Sequence, residues 1–549
     1  MSAYGIDLGT TYSCVAHIDD SGKAVVLKNA VGEDTTPSVV YFESPDNVVV
    51  GRTAKDSALL EPDLVASLVK RHMGKTDVTW GYHGQAQTPE SVSALILREL
   101  ARAAGEQTGE TVTDVVITVP AYFGLAEREA TRRAGQMAGL TVLDVLAEPV
   151  AAALHYQSGI GQSGTGQSGQ RHILVYDLGG GTFDTTVIEL SGDDVQVVCT
   201  DGDHQLGGAD WDAKIMDYLL ESFAAQQPDI DPAEDEQGMQ DLAATVEKTK
   251  KDLSQAQSRK VPVRFGGKSV PVELSRDKLE ELTSLLLDRT MDITGRTIET
   301  AKEKGVDHFD DVLLVGGMTR MPVVAQTLRS RFGVEPRLHE PDLAVAKGAA
   351  LFAVIRKVKV GMPENASPEQ ERKAVRTVAD QLGISVEQVE QLANKKVATV
   401  VPRAFGIKVS DFIDSSRRND PDNLRHSIEH LLTANTPLPA DTGPQQFQTL
   451  NDDQTQVRLE VWEQAGSVAS PELEYNTHIG EGMLTDLPPR PAGAPFDVTF
   501  YMTETGLLKV HAEEQRSRRQ VRFEIQIGGM TDEQVREAGE AVARYAVSG

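Results

Sequence analysis

Cysteine is almost missing from this 549-residue chain, which has only Cys14 and Cys199 and neither a CxxC nor an HExxH spacing. A disulfide framework has nothing to build on, and a structural zinc site lacks its ligands. Basic residues are short as well: 54 Lys and Arg stand against 82 Asp and Glu, a formal net charge of −28. Such an acidic surface repels nucleic acid and anionic lipid, which are set aside as partners. No apolar run is long enough to span a bilayer. The amino terminus moves at once into a strand-like YGIDLG, without a basic region or apolar signal core, so a cytoplasmic location is expected. One absence is more pointed. YDLGGGTFD (176–184) has three consecutive glycines of the kind that cradle phosphate, yet the Lys-Ser or Lys-Thr that closes a P-loop does not follow. Phe183, Asp184 and the β-branched TTVIEL follow instead, which is a strand. A phosphate site here needs a hairpin rather than a helix start, and its cation must come from elsewhere.

What is present is an ordinary folded composition, 40% apolar, in a chain too long for one core when domains run to roughly 150 residues. Through about residue 356, short apolar runs alternate with amphipathic helical patterns, the signature of an α/β fold. DVVITVP (114–120), HILVYDL (172–178) and DVLLVGG (311–317) read as strands. SALILRELARAA (93–104), AEREATRRAGQMAG (126–139) and one long stretch over 278–305 read as helices. SGIGQSGTGQSGQ (158–170) reads as a flexible loop between two halves. Residues 357–396 form a polar helical insert broken at Gly383. From 397 to 528, QVRLEVWE, FDVTFYM and VRFEIQI alternate as strands of an antiparallel β-sandwich, and 529–549 is one amphipathic helix.

The opening motif has an echo. GIDLGTTYS (5–13) repeats the pattern of YDLGGGTFD, a strand delivering an aspartate to a glycine-bearing turn with threonine, then a second strand. Two such hairpins, one per half, can face each other across a cleft. Glycine lets backbone N–H groups come close to phosphate oxygens, and threonine hydroxyls add donors. Asp7 and Asp177 then suit Mg²⁺, a hard ion that keeps its waters. Alone, either hairpin is as well explained as a solvated turn. A third element, DVLLVGGMTRMP (311–322), is a buried strand, a Gly-Gly turn and a helix start, suited to packing backbone against a nucleoside.

With these three elements in order, the sequence resembles the actin-like ATPases, specifically the seventy-kilodalton heat-shock chaperones of DnaK type. The resemblance runs through GIDLGTTYSCVA, TTPSVV, VKRHMG, ITVPAYF, AEPVAAAL, YDLGGGTFD, LGGADWD, VEKTKKDLS, VGGMTRMP and EPDLAVAKGAA, and continues in NTPLP and GLLKVHA. It implies a two-lobed α/β ATPase domain with duplicated ribonuclease-H-like halves, a peptide-binding β-sandwich and a short C-terminal helix. It implies ATP or ADP with water-held Mg²⁺, and a K⁺ or other monovalent cation. In that family Lys70 supplies the missing cation at the terminal phosphate, and Glu148 orders the magnesium waters. Asp177 and Thr182 touch the phosphate side, while Asp184 positions the attacking water or a monovalent ion. Gly9, Thr10, Thr11 and Tyr12 line the first hairpin, as Gly179, Gly180 and Gly181 line the second. Glu247, Lys250, Lys251 and Ser254 share one helix face by spacing, which the resemblance assigns to adenine and ribose. Gly316, Gly317, Met318, Arg320 and Asp342 would close the base side. For the sandwich it implies Ile407, Phe447, Leu450, Val457 and Leu459 at a cleft for extended apolar peptide, though sandwich core is the ordinary reading of each.

The sequence also departs from that family. The helical lid is reduced to 529–549, and the apolar interdomain linker becomes KKVATVVPRAFG (395–406). The insert is extra, and the loop at 408–432 is expanded. Asp144 and Ala147 stand where a basic residue and an asparagine would receive a J-domain cochaperone, so that partner is in doubt, while an exchange factor stays open. VADQLGISVEQVEQL resembles a helix-turn-helix, but its second helix carries glutamates where DNA reading needs basic residues. A helical hairpin serving as spacer or docking surface is expected instead. Two functions compete: an ATP-hydrolysing chaperone for extended segments, and a nucleotide-switched scaffold holding one dedicated partner.

Overall fold

The computed structural model describes residues 3–162, 169–360, 362–363, 366–414, 423–466, 468–525 and 530–549. Two sheets of the same design organise the first part of the chain. In one, Tyr4–Asp7 runs parallel to Asp114–Val119 and antiparallel to Tyr12–Ile18. Thr141–Ala147 and Ala24–Leu27 lie outside these three. In the other, Arg171–Leu178 runs parallel to Asp311–Val315 and antiparallel to Phe183–Ser191. Pro336–Leu338 and Asp194–Asp203 flank that set. Strand order and direction therefore repeat, which is the duplication the two hairpin motifs foretold. The central strands are apolar through their whole length because helices cover both faces. Ile173, Leu174, Val175 and Tyr176 are wholly buried.

Helices Glu148–Gln162 and Ala344–Lys359 pack against one another between the sheets. The first of them runs into the stretch read as a flexible loop, and residues 163–168 of that stretch lie outside the described residues. The long helical pattern over 278–305 is two helices, Arg276–Leu282 and Ser284–Glu303. Thr283, at φ −111°, separates them and turns its hydroxyl back onto the Leu279 carbonyl at 2.8 Å.

The insert is a helical hairpin, Pro368–Leu382 and Val386–Ala393, with Gly383 in the left-handed region at φ 69° between them. Ser367 and Ser385 each close a capping box with a glutamine. Val375, Val378, Leu382, Val389 and Leu392 bury into the core around Ala344–Lys359. The hairpin is thus a packed part of the two-sheet body rather than a spacer. Beyond it, Val397–Ala398 adds a parallel strand to the edge of the second sheet, beside Val195 and Gln196.

The sandwich faces a four-stranded sheet against a five-stranded one, all pairs antiparallel. The C-terminal helix Asp532–Arg544 lies not on the sandwich but against helices Pro89–Thr108 and Leu125–Met137 of the first half. The segment read as a reduced lid thus covers the first half rather than the sandwich. Its apolar stripe, Val535 and Val542, joins the first half's core together with Tyr545. Strand Ala546–Ser548 then pairs in parallel with Asn47–Val49.

Candidate functional site

The two hairpin tips meet. A Cβ placed on Gly180 would lie 2.2 Å from Thr11 Oγ1, and one on Gly181 would lie 2.4 Å from Thr10 Cγ2. Any side chain here would push the halves apart, so the contact requires glycine. Asp7 and Asp177, at the ends of equivalent strands, sit beside this junction. Thr118 donates to Asp7 at 3.0 Å.

Lys70 arrives from the short helix Val69–His72 of the first half, entered through Leu68 at φ 56°. It is 6% exposed and its Nζ lies 2.6 Å from Glu148, itself 7% exposed at the start of its helix. Asp184, 1% exposed, accepts from the Tyr122 backbone N–H at 2.9 Å. Four carboxyl groups thus surround one lysine. Burial, and then the Glu148 charge, pushes Asp7 and Asp184 each up to about 7, and the same causes hold Asp177 well above the ordinary carboxylate range. A surplus of buried acid invites a cation. Among the described residues, no three His, Cys, Asp or Glu side chains converge closely enough to ligate a metal directly. Asp7 and Asp177 are the carboxylates that could hold a magnesium ion here.

The proposed adenosine face is divided. On helix Glu236–Leu253, Glu247 pairs with Lys55 and, at 2.7 Å, with Lys251. Tyr12 donates to Glu247 at 3.2 Å, and Lys251 lies 4.6 Å over its ring. Burial would raise the Glu247 carboxyl, yet Lys55 and Lys251 hold it down at about 2. Lys250 turns away from this group and lies buried on Gly208 O and Asp212, each at 2.8 Å. Ser254 caps the same helix and is half-buried. Across from it, Gly316 is at φ 82°, Arg320 pairs with Asp342, and Met318 is buried beside Gly208. Gly317 approaches Asp342 closely.

Three participants escaped the sequence reading. Arg71, next to Lys70, donates to the Gly181 carbonyl at 3.1 Å and to Asp210 at 2.5 Å, tying one half to the other. Lys55 had no spacing to mark it, whereas Arg71 shared a motif with Lys70 and Thr118 lay within ITVPAYF.

In the sandwich, Ile407, Val457 and Leu459 are 3, 9 and 2% exposed and belong to its core. Phe447 is half-buried against that core and 6.0 Å from the Phe496 ring, and Leu450 is half-buried in the following turn. Three of the five cleft positions are core here because both sheets' inner faces must be filled.

A profile of the Hsp70 protein family matches residues 3–364 and 422–546. The chain belongs to the Hsp70 family. It is 35% identical to the chaperone protein DnaK of Halobacterium salinarum, in strains R1 and NRC-1 alike, over 99% of this chain and 78% of the relative. The Hsp70 profile leaves out the stretch between its two matches, which carries the insert hairpin and the linker strand. No helix among the described residues is long and apolar enough to cross a membrane.

Proposed function

We propose that this Hsp70 protein is an ATP-dependent chaperone that hydrolyses ATP to ADP and phosphate and holds extended apolar segments of other proteins on its sandwich. The observation that carries this reading is the meeting of two glycine hairpins with Lys70, Glu148, Asp177 and Asp184 drawn from both halves of the chain. Backbone N–H groups and the hydroxyls of Thr10, Thr11 and Thr182 would bind the phosphates. Lys70 would stabilise charge on the terminal phosphate, and Asp184 would orient the attacking water, with K⁺ as a further occupant of the acidic site. Bound Mg²⁺ would supply charge neutralisation between phosphates. Catalysis then rests on positioning and electrostatics. Tyr12, Glu247, Lys251 and Ser254 would face adenosine from one side, with Lys250 tying their helix to Gly208 and Asp212, and Gly316 to Arg320 with Asp342 from the other. A cytoplasmic site of action and an exchange factor belong to the same proposal by family kinship, while Asp144 and Ala147 speak against the usual J-domain contact.

A second reading, a nucleotide-switched scaffold for one dedicated partner, is favoured by one fact. Ile407, Val457 and Leu459 are spent in the core, which leaves Phe447 and Leu450 as the part-exposed members of the five expected cleft positions. Lys70→Ala tests the chemistry. It is expected to slow single-turnover hydrolysis roughly a hundredfold or more, with ADP affinity within about twofold of wild type. An unchanged hydrolysis rate removes Lys70 from the chemistry, whereas a wild-type protein that does not hydrolyse ATP removes the ATPase reading.

A further inference from the structure

Asp184 is reached from the sandwich by a short chain of contacts. The residues at 120–123 link the strand Asp114–Val119 to the helix Leu125–Met137. Backbone N–H groups of Ala121 and Tyr122 bond to the Asp184 carboxylate. Phe123, the next residue, presents its ring 5.8 Å from Lys70 Nζ. One turn of chain therefore touches both groups that would act on the terminal phosphate and the water.

That turn is gripped from the other side by Arg403, at the entrance to the sandwich. Its Nε donates to the Tyr122 carbonyl at 3.1 Å, and its guanidinium lies 4.9 Å over the Tyr122 ring. Its Nη2 donates to Glu127 at 3.1 Å. The Tyr122 hydroxyl donates to the Gly466 carbonyl at 2.5 Å. The helix Leu125–Met137 has no side-chain cap of its own, and Glu463 of the sandwich accepts the Leu125 N–H at 3.2 Å in its place. Arg403 is 5% and Glu463 2% exposed. The fit is tight: a Cβ on Gly124 would meet both Glu463 oxygens and Arg403 Nη1 within 2.9 Å. Arg403 falls between the two stretches that the Hsp70 profile matches.

We infer that Arg403 is a positioning residue for hydrolysis, holding the 120–123 turn so that its backbone N–H groups fix the Asp184 carboxylate. A guanidinium gives several donors in a fixed fork, so one side chain can pin the Tyr122 carbonyl and Glu127 together. The inference rests on the ATPase reading above, but its first readout does not. Hydrogen exchange over 118–124 in the full chain reports the turn directly, because local opening sets the rate. Arg403→Ala is expected to speed exchange there about tenfold or more, and to slow single-turnover hydrolysis by about tenfold with ATP affinity within about twofold. Arg403→Lys keeps the charge but has one nitrogen for two acceptors, so it should recover part of both losses. Lys304→Met removes a docking contact on the other half, where Lys304 Nζ donates to the Asn435 carbonyl at 2.5 Å. It should leave both readouts at wild type. Unchanged exchange over 118–124 in Arg403→Ala, unchanged or faster hydrolysis, or equal losses in Lys304→Met would each overturn the assignment. If Arg403→Ala does not fold, Arg403→Lys decides: intermediate values support the relay and wild-type values on both readouts overturn it. A wild-type protein that binds ATP without hydrolysing it refutes the ATPase reading, while exchange still decides whether Arg403 holds the turn.

Discussion

Burial drives the Glu463 carboxyl up to about 7, although Arg403 opposes it and Arg128 and the Leu125 N–H lower it too; Glu127 adds to the rise. The folded protein therefore keeps a proton on this group at a pH where an unfolded glutamate, near 4.5, has lost it. Between those two values the folded state binds more protons, so stability falls as pH rises, by at most about 1.4 kcal/mol per unit for one group. Asp7 and Asp184 contribute slopes of the same sign. Glu463→Gln is expected to leave stability falling across this window but less steeply, by close to one proton's worth, in urea titrations at several pH values. At the other end of the cleft, Glu247→Ala should weaken adenine nucleotide binding and reduce the preference for ATP over GTP, measured by competition. Wild-type values for both would leave the Glu247 network a structural one, with no part in holding adenosine. Residues such as Lys70 and Asp177 were legible because a short motif fixes their neighbours along the chain. Lys55 and Arg403 were not, since each acts on a group brought near only by folding.

At the scale of elements, the sequence pattern told which face of a helix is apolar but not what covers it. The C-terminal helix shows the difference. Its stripe reads plainly, yet Val535 and Val542 find their partners in the first half. Tyr545 is the plug: 5% exposed, edge-on to Phe42 at 6.1 Å, with its hydroxyl between Gln85 and Gln87. Tyr545→Ala should cost about 3 kcal/mol, as deletion of a large buried ring does. Urea unfolding of the full chain measures it. Arg536→Ala, on the exposed side and paired with Glu540, should change stability by less than about 0.5 kcal/mol. The insert hairpin was more legible, because Ser367, Ser385 and Gly383 mark its ends by capping chemistry. That it packs as core had no local signal beyond its apolar spacing.

Taken whole, the molecule holds its sandwich in several places. Val397–Ala398 is strand-paired to the second sheet, Asn435 accepts from the Thr200 N–H at 2.8 Å, and Arg403 and Glu463 engage the first half. An effector changes affinity only by its differential interaction with two states, and these contacts oppose a second arrangement. Short apolar peptides should therefore dissociate fast with ATP and with ADP, the two rates differing by less than about tenfold. Fluorescent-peptide release measures both, and Phe447→Asp in a folded variant should abolish binding. The two-lobed layout was legible because duplication repeats a motif and strands announce themselves by β-branched runs. How the sandwich sits against the lobes was not, since an interface between domains has no period.

The pairing of Ala546–Ser548 with Asn47–Val49 also imposes an order of events on synthesis. A ribosome delivers the first half's own strands early, but the segment that covers Phe42 and extends the sheet at Asn47 emerges only after the insert and sandwich have been made. Until then that half is left with an open edge and an unfilled slot, the condition in which nascent chains are most exposed to misassociation. A chaperone built this way needs protection during its own birth, and arrested chains ending before residue 530 should show the first lobe more protease-sensitive than the finished protein.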